Sequence, residues 1–200
     1  MNKLKLAVFA SHGGSNMQSI IEASKSGNLA AEVVCIISNN SDSMALQRAI
    51  NEGIPGIHIS QKLFENESDY INEILKTLKL YSVDLIILAG YMKMIPLEII
   101  KAYRNRILNI HPALLPKFGG KGMFGMNVHN AVIAAGETES GPTVHIVDEI
   151  YDNGKILLQR KIPVMPDDTP ESLAERVLAE EHKIYAETIQ LIIEGKITLD

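Results

Sequence analysis

Short apolar runs of strand length alternate with segments of helical periodicity along the first half of the chain. The apolar runs cover residues 4–10, 32–38, 57–60, 85–89 and 107–110. The helical segments cover residues 16–26, 44–52, 68–81 and 96–103. A strand–helix–strand connection places its two strands parallel, with a right-handed crossover. The alternation therefore predicts an α/β fold with a doubly wound, mostly parallel open sheet of Rossmann-like type.

The regular alternation of predicted strands and helices ends after His111. A loop rich in Gly and Met over residues 119–126 precedes a predicted helix over 128–135. Two predicted strands, 143–147 and 155–164, are joined through a turn at Asp152-Asn153-Gly154, which predicts a β-hairpin. A long final helix begins at Pro170 and ends at about residue 194. No repeat or linker interrupts the chain, so we expect one domain over 1–200, with halves of about 1–105 and 106–200.

Charge and composition exclude several classes of function. The formal net charge of −5 argues against nucleic-acid binding, which usually needs a basic excess. No apolar run approaches the roughly 20 residues of a membrane span, and the N-terminal run is too short for a signal peptide. The single cysteine, Cys35, lies in an apolar run typical of a core. We therefore expect a cytoplasmic protein without membrane association.

The loop after the first strand is a candidate anion site. Residues 11–16 (SHGGSN) lead into a helix, and glycine-rich backbone at a helix N-terminus presents free N–H groups to a phosphate. The pattern lacks the Gly-Lys-Ser/Thr of a Walker loop and the third glycine of a dinucleotide fingerprint. It favours a monophosphate. A tight turn in which Ser15 or Asn16 caps the helix is the alternative.

Polar residues at the end of the fifth strand form a second candidate site. Asn109 and His111 share one face of a strand with period two, at the carboxyl end where open α/β sheets bind ligands. Asp152, in the hairpin turn, is their candidate partner, and His145 is a core, supporting or binding residue. The histidines lack the spacing of a metal site, so we expect no metal.

Two motifs resemble the signatures of the formyltransferases that use 10-formyltetrahydrofolate. The first is residues 109–116 (NIHPALLP), and the second is residues 141–145 (GPTVH) followed by 152–159 (DNGKILLQ). Methionyl-tRNA formyltransferases and formyltetrahydrofolate hydrolases carry close versions of both. Gly14-Ser15-Asn16, residues 181–185 (EHKIY) and the extent of the likeness, from about residue 5 to 197, resemble the glycinamide ribonucleotide transformylase branch.

The resemblance implies roles for individual residues. His111 would be the general acid and an oxyanion donor, Asn109 a second donor that also contacts the folate, and Asp152 the carboxylate that keeps His111 protonated. The ribonucleotide phosphate would bind Gly14, Ser15 and Asn16. Glu181 would bind the ribose. The folate pterin would lie along Met92, Lys93, Met94 and Ile95, in a folate-binding and catalytic second half that follows a nucleotide-binding first half.

The sequence departs from the family pattern in three places. Glu67 stands where an arginine near the folate glutamate tail is frequent, Leu178 stands where a polar residue is frequent, and the 119–126 loop is longer than in some members. The implied activity is formyl transfer from 10-formyltetrahydrofolate to the glycine amine of 5-phosphoribosylglycinamide. The alternatives are a formyltetrahydrofolate hydrolase and a nucleotide-binding module without chemistry. Monomer and homodimer both stay open.

Overall fold

The computed structural model describes residues 3–200, and these residues form an α/β structure that divides into two compact units. The first unit ends at Leu108 and the second runs from Asn109 to Asp200. Strand β5, Ile107–His111, begins in the first unit and ends in the second. Its final three residues, Asn109 to His111, therefore open the second unit.

The first unit alternates strands and helices, as the sequence predicts. Its strands are β1 (Leu4–Phe9), β2 (Ala31–Ser38), β3 (Gly56–His58) and β4 (Leu85–Leu88). Its helices are α1 (Ser15–Ser26), α2 (Met44–Glu52), α3 (Glu67–Leu80) and α4 (Leu97–Ala102), with a short 3₁₀ helix at Gln61–Leu63. Predicted and observed bounds differ by a residue or two, as at α4, where Pro96 is the N-cap.

The strands run in the order β3, β2, β1, β4, β5, and the pairs β2–β3, β1–β2 and β1–β4 are parallel. The chain first moves outward from β1 to β3 and then returns to β4 on the other side of β1. This reversal makes the fold doubly wound, and the carboxyl ends of β1 and β4 form the switch point where such sheets bind ligands. Residues 6–9 of β1 and all of β4 are buried, as expected of a sheet covered on both faces.

The second unit combines a β-hairpin with two helices. After β5 come α5 (Met126–Ala134), β7 (Thr143–Ile146), β8 (Ile156–Gln159) and the long α6 (Pro170–Ile193). Strands β7 and β8 pair antiparallel, and the order here is β5, β7, β8. The predicted fold class is thus confirmed, including the C-terminal hairpin and long helix.

One predicted strand is wrong in its extent. Residues 155–164 form two strands, because the chain leaves β8 after Gln159 and then forms β9 (Ile162–Pro163). Strand β9 pairs with β6 (Glu139–Ser140) in a separate small sheet. Ile162 and Val164 pack on a cluster that includes Val128, Leu173 and Val177. Because these two residues are partly buried against helices, residues 155–164 have the same apolar sequence pattern as one continuous strand.

No helix among residues 3–200 is long and apolar enough to cross a membrane.

Candidate active site

The turn after β1 enters α1 without a side-chain cap. Gly14 is the N-cap, with a φ of 69°, and the N–H of Gln18 donates to its carbonyl at 2.9 Å as the first helical bond. A Cβ on Gly14 would lie 3.1 Å from the Cβ of Ala45, so both the conformation and the space favour glycine. The alternative in which Ser15 or Asn16 caps the helix is wrong. The first turn of α1 thus begins as an anion site requires.

Helix α2 donates two hydrogen bonds to this turn. The backbone N–H of Ala45 donates to the carbonyl of His12 at 3.0 Å. The Nε–H of Arg48 donates to the carbonyl of Gly13 at 2.9 Å. Two consecutive carbonyls of the turn are therefore bound by one helix.

The segment after β4 is tied to the same part of the first unit. Ser11, which is 1% exposed, accepts a hydrogen bond from the N–H of Met92 at 2.8 Å and donates to Oδ1 of Asn39 at 2.5 Å. The N–H of Ser11 also donates to the carbonyl of Gly90 at 3.1 Å. A single buried serine thus fixes the start of residues 92–95.

Residues 92–95 offer mostly exposed groups. Met92 is 42% and Met94 53% exposed, and Lys93 is also exposed, whereas Ile95 is buried. Exposed methionines at a strand end form an adaptable apolar surface. Glu67, in the first turn of α3, is exposed as well.

The second unit brings together Asn109, His111 and Asp152, as the sequence predicts, and adds His145. Nδ1 of His111 lies 3.5 Å from Oδ2 of Asp152, and Nε2 of His145 lies 3.6 Å from Oδ1 of the same carboxylate. Nδ2 of Asn109 lies 3.1 Å from Nε2 of His145. One carboxylate therefore faces two imidazoles, and the Asn109 amide contacts the second.

Hydrogen bonds to carbonyls assign the imidazole protons. Nε2 of His111 is 2.7 Å from the carbonyl of Phe118, and Nδ1 of His145 is 3.0 Å from the carbonyl of Ile146. A carbonyl only accepts, so both of these nitrogens carry hydrogen. Nε2 of His145 faces both the Asn109 amide and the Asp152 carboxylate.

The carboxylate of Asp152 is placed by its backbone. Asp152 has a φ of 53°, a left-handed conformation that Asp and Asn adopt more readily than most residues. The N–H of Gly120 donates to its Oδ2 at 2.9 Å. Two residues on, a Cβ at Gly154 would lie 1.9 Å from the carbonyl oxygen of Ile146, so only glycine fits there. The hairpin turn thus directs Asp152 at the two histidines.

Burial and charge oppose each other at this cluster. Burial lowers the pKa of His111 below its ordinary value, His145 adds to the lowering, and Asp152 and the Phe118 carbonyl reverse only part of it. Burial alone raises the pKa of Asp152, but His145, His111 and the Gly120 N–H outweigh it, so that this pKa lies below its usual range. Asp152 therefore acts in the direction that keeps His111 protonated, but burial outweighs it. In the protein without substrate the neutral imidazole is favoured.

Several contributors to the cluster carry no sequence signal of their own. Phe118 and Gly120 act through backbone groups, which any residue supplies. Thr143 donates to the carbonyl of Ala113 at 2.6 Å and accepts from the N–H of Leu115 at 3.1 Å, which fixes the chain after β5. Only the Thr143 contact has a signal, in the Gly-Pro-Thr motif.

Other candidate residues lie elsewhere in the second unit. Glu181 is on α6 and only 8% exposed, an uncommon burial for a carboxylate. His129, on α5, is buried, and burial followed by the charge of His111 lowers its pKa. Within residues 3–200 no group of three or more His, Cys, Asp or Glu side chains is arranged to hold a metal ion.

Comparison with known proteins identifies relatives along nearly the whole chain. Residues 4–189 match the family model described as "Formyl transferase". The chain is 40% identical to the phosphoribosylglycinamide formyltransferase of Haemophilus influenzae, over 98% of this chain and 90% of that protein. It is 49% identical to the chloroplastic phosphoribosylglycinamide formyltransferase of Vigna unguiculata, over 98% of this chain and 63% of that protein. The chain thus spans less than two thirds of the length of the plant relative.

A solved structure agrees with the fold. Glycinamide ribonucleotide transformylase 1 from Symbiobacterium toebii superposes with a TM-score of 0.91 at 35% identity, over 100% of this chain and 92% of that one.

Proposed function

The chain belongs to the formyl transferase family, among the phosphoribosylglycinamide formyltransferases, and we propose that it transfers a formyl group from 10-formyltetrahydrofolate to the glycine amine of 5-phosphoribosylglycinamide. The observation that carries the proposal is the cluster of Asn109, His111 and Asp152 at the end of β5. The family supplies the reaction class, and the cluster supplies groups suited to it.

The reaction needs hydrogen-bond donors for a developing oxyanion. The amine nitrogen attacks the formyl carbon, the new C–N bond forms, and the carbonyl oxygen becomes negative. The bond to N10 of the folate then breaks, and a proton from the amine passes to N10. Losing one oxyanion donor typically costs about 10²–10³ in rate.

Asn109 and His111 are the donors in this proposal. The Asn109 amide has one N–H directed to His145 and one left for the oxyanion. His111 offers the Nε2–H that donates to the Phe118 carbonyl in the substrate-free protein. Negative charge beside the ring favours imidazolium, so the pKa of His111 rises as the oxyanion forms. Asp152, at Nδ1, stabilises that charged form, and His111 then relays the proton.

The remaining roles follow the family. Gly14, Ser15 and Asn16 hold the ribonucleotide phosphate, and Glu181 binds the ribose. The pterin of 10-formyltetrahydrofolate lies along residues 92–95. The reaction needs neither a metal nor a covalent enzyme intermediate. We further propose that the chain works as one domain in the cytoplasm, without nucleic-acid or membrane partners. Sedimentation distinguishes a monomer from a homodimer.

The decisive test is formyl transfer followed spectroscopically, with and without 5-phosphoribosylglycinamide. Folate deformylation that depends on the ribonucleotide and yields its formyl adduct supports the proposal. Equal deformylation without the ribonucleotide replaces it with a formyltetrahydrofolate hydrolase. No turnover at all leaves a nucleotide-binding module and removes the catalytic roles of Asn109, His111 and Asp152.

A further inference from the structure

Arg48 contacts the proposed phosphate-binding turn but has no role in the chemistry above. It lies on α2, one helical turn after Ala45, so both residues face the same side of the helix. Ala45 binds the carbonyl of His12 through its backbone, and Arg48 binds the carbonyl of Gly13 through its side chain. Of the two contacts, only that of Arg48 depends on residue type.

These contacts orient two peptide planes. In a trans peptide the C=O and the following N–H point in opposite directions. Because the carbonyls of His12 and Gly13 point at α2, the N–H groups of Gly13 and Gly14 point away from it. Successive N–H groups that point one way form a concave anion site, here just before the first turn of α1.

The guanidinium is held in place independently of any ligand. Nη1 of Arg48 lies 3.4 Å from Oε1 of Gln18, whose Nε2 donates to Glu52 at 2.8 Å. Glu52 in turn pairs with Lys25. Arg48 is therefore the end of a polar network between α1 and α2 that terminates at the turn.

We propose that Arg48 is a positioning residue for the phosphate of the ribonucleotide: it fixes the Gly13–Gly14 peptide so that the Gly14 N–H points into the anion site. The inference rests on the proposed function, since it assumes that this turn binds the phosphate. The planar guanidinium of Arg48 donates hydrogen bonds to Gly13 and Gln18 at the same time, whereas the single ammonium of a lysine can reach only one of them with good geometry.

The test compares Arg48→Ala, Arg48→Lys and the control Lys76→Ala by steady-state kinetics. Lys76 carries the same charge, but it lies on α3, where it pairs with Glu73 of its own helix, outside the network that holds Arg48. Arg48→Ala should raise the KM for 5-phosphoribosylglycinamide about 10-fold, the effect of one charge-assisted hydrogen bond. The kcat and the KM for 10-formyltetrahydrofolate should stay near wild type. The KM of Arg48→Lys for the ribonucleotide should lie between those of wild type and Arg48→Ala, and Lys76→Ala should match wild type.

Three results would overturn the inference: an unchanged ribonucleotide KM in Arg48→Ala, an equal rise in Lys76→Ala, or an equal rise in both substrate KM values. A second measurement does not depend on turnover. Inorganic phosphate is titrated while the amide signals of Gly13 and Gly14 are followed by NMR, in wild type and Arg48→Lys. Phosphate-dependent shifts that persist at the same affinity in the variant also contradict the role of Arg48. A wild-type protein without ribonucleotide-dependent transfer rejects the proposed function, and the phosphate titration still decides the role of Arg48.

Discussion

Oδ2 of Asp152 lies 3.5 Å from Nδ1 of His111, while the other nitrogen of the same imidazole donates to the carbonyl of Phe118. The ring is thus fixed on both sides, by a carboxylate and by a carbonyl. Both partners favour a protonated ring, yet burial dominates and lowers the pKa of His111. The cluster therefore holds a neutral histidine next to groups that stabilise its charged form once negative charge develops.

Replacing Asp152 should affect turnover more than binding. Asp152→Asn keeps the size and tolerates the left-handed φ, but it removes the charge facing His111. We expect kcat to fall about 100-fold or more, in the range of lost acid–base assistance, with little change in either KM. Asp148→Asn, in the same turn, is the control and should keep near wild-type turnover. A loss of affinity with unchanged kcat would contradict the assignment.

The titration of His111 can be measured directly. Its NMR pKa in the substrate-free protein should lie below the ordinary value of about 6.5, because burial disfavours the charged ring. In Asp152→Asn the pKa should fall further, since the carboxylate is the group that raises it. Because the unfolded state then binds more protons at His111 than the folded state, this residue makes the free energy of unfolding increase with pH, up to about pH 6.5. A His111 pKa above 6.5 would show that charge outweighs burial.

Asn109 should be needed for the chemical step. Asn109→Ala removes one oxyanion donor, and kcat should fall about 10²–10³-fold. His111→Ala should be at least as damaging. Asn130→Ala is a matched control, because Asn130 also donates through its amide, to the carbonyl of Met126 on α5. Wild-type turnover in Asn109→Ala would remove this residue from the mechanism.

Ser11 should influence folate binding. Ser11→Ala leaves the N–H of Met92 and the Oδ1 of Asn39 without their partner, and such losses cost about 1–3 kcal/mol. Without the Ser11 hydroxyl we expect residues 92–95 to move, and the KM for 10-formyltetrahydrofolate should then rise about 10-fold. Ser24→Ala removes a part-buried hydroxyl of the first unit that donates to the carbonyl of Ala31, and it should leave that KM unchanged. Equal KM values for 10-formyltetrahydrofolate in the two variants would show that Ser11 has no role in folate binding.

Cys35 should not react in the folded protein. It is fully buried in β2, and burial raises the pKa of its thiol to about 12. The thiolate is the reactive form, so alkylation at pH 8 should be very slow until the protein unfolds. Mass spectrometry with and without denaturant checks this. Rapid labelling under native conditions would show that β2 opens frequently.

Sequence patterns predicted the elements of the first unit because period and turn residues are local signals. They predicted the Asn109–His111–Asp152 cluster because a strand end, a hairpin turn and two motifs point to it. They did not reveal that residues 155–164 cross between two sheets, since burial against helices gives the same apolar pattern as a strand. The contributions of Phe118 and Gly120 were also invisible, because a backbone carbonyl or N–H leaves no trace in residue type. The pKa of His111 depends on how deeply the ring is buried, which only the structure provides.

Gly154 passes within contact distance of the Ile146 carbonyl, a place that no side chain can occupy. The hairpin is therefore closed by main chain, and the exposed Ile150 at its tip also bonds within the turn through its backbone N–H and carbonyl. The side chains of Glu149, Ile150 and Tyr151 are exposed and can therefore be exchanged, while the carboxylate two residues before the glycine keeps its orientation.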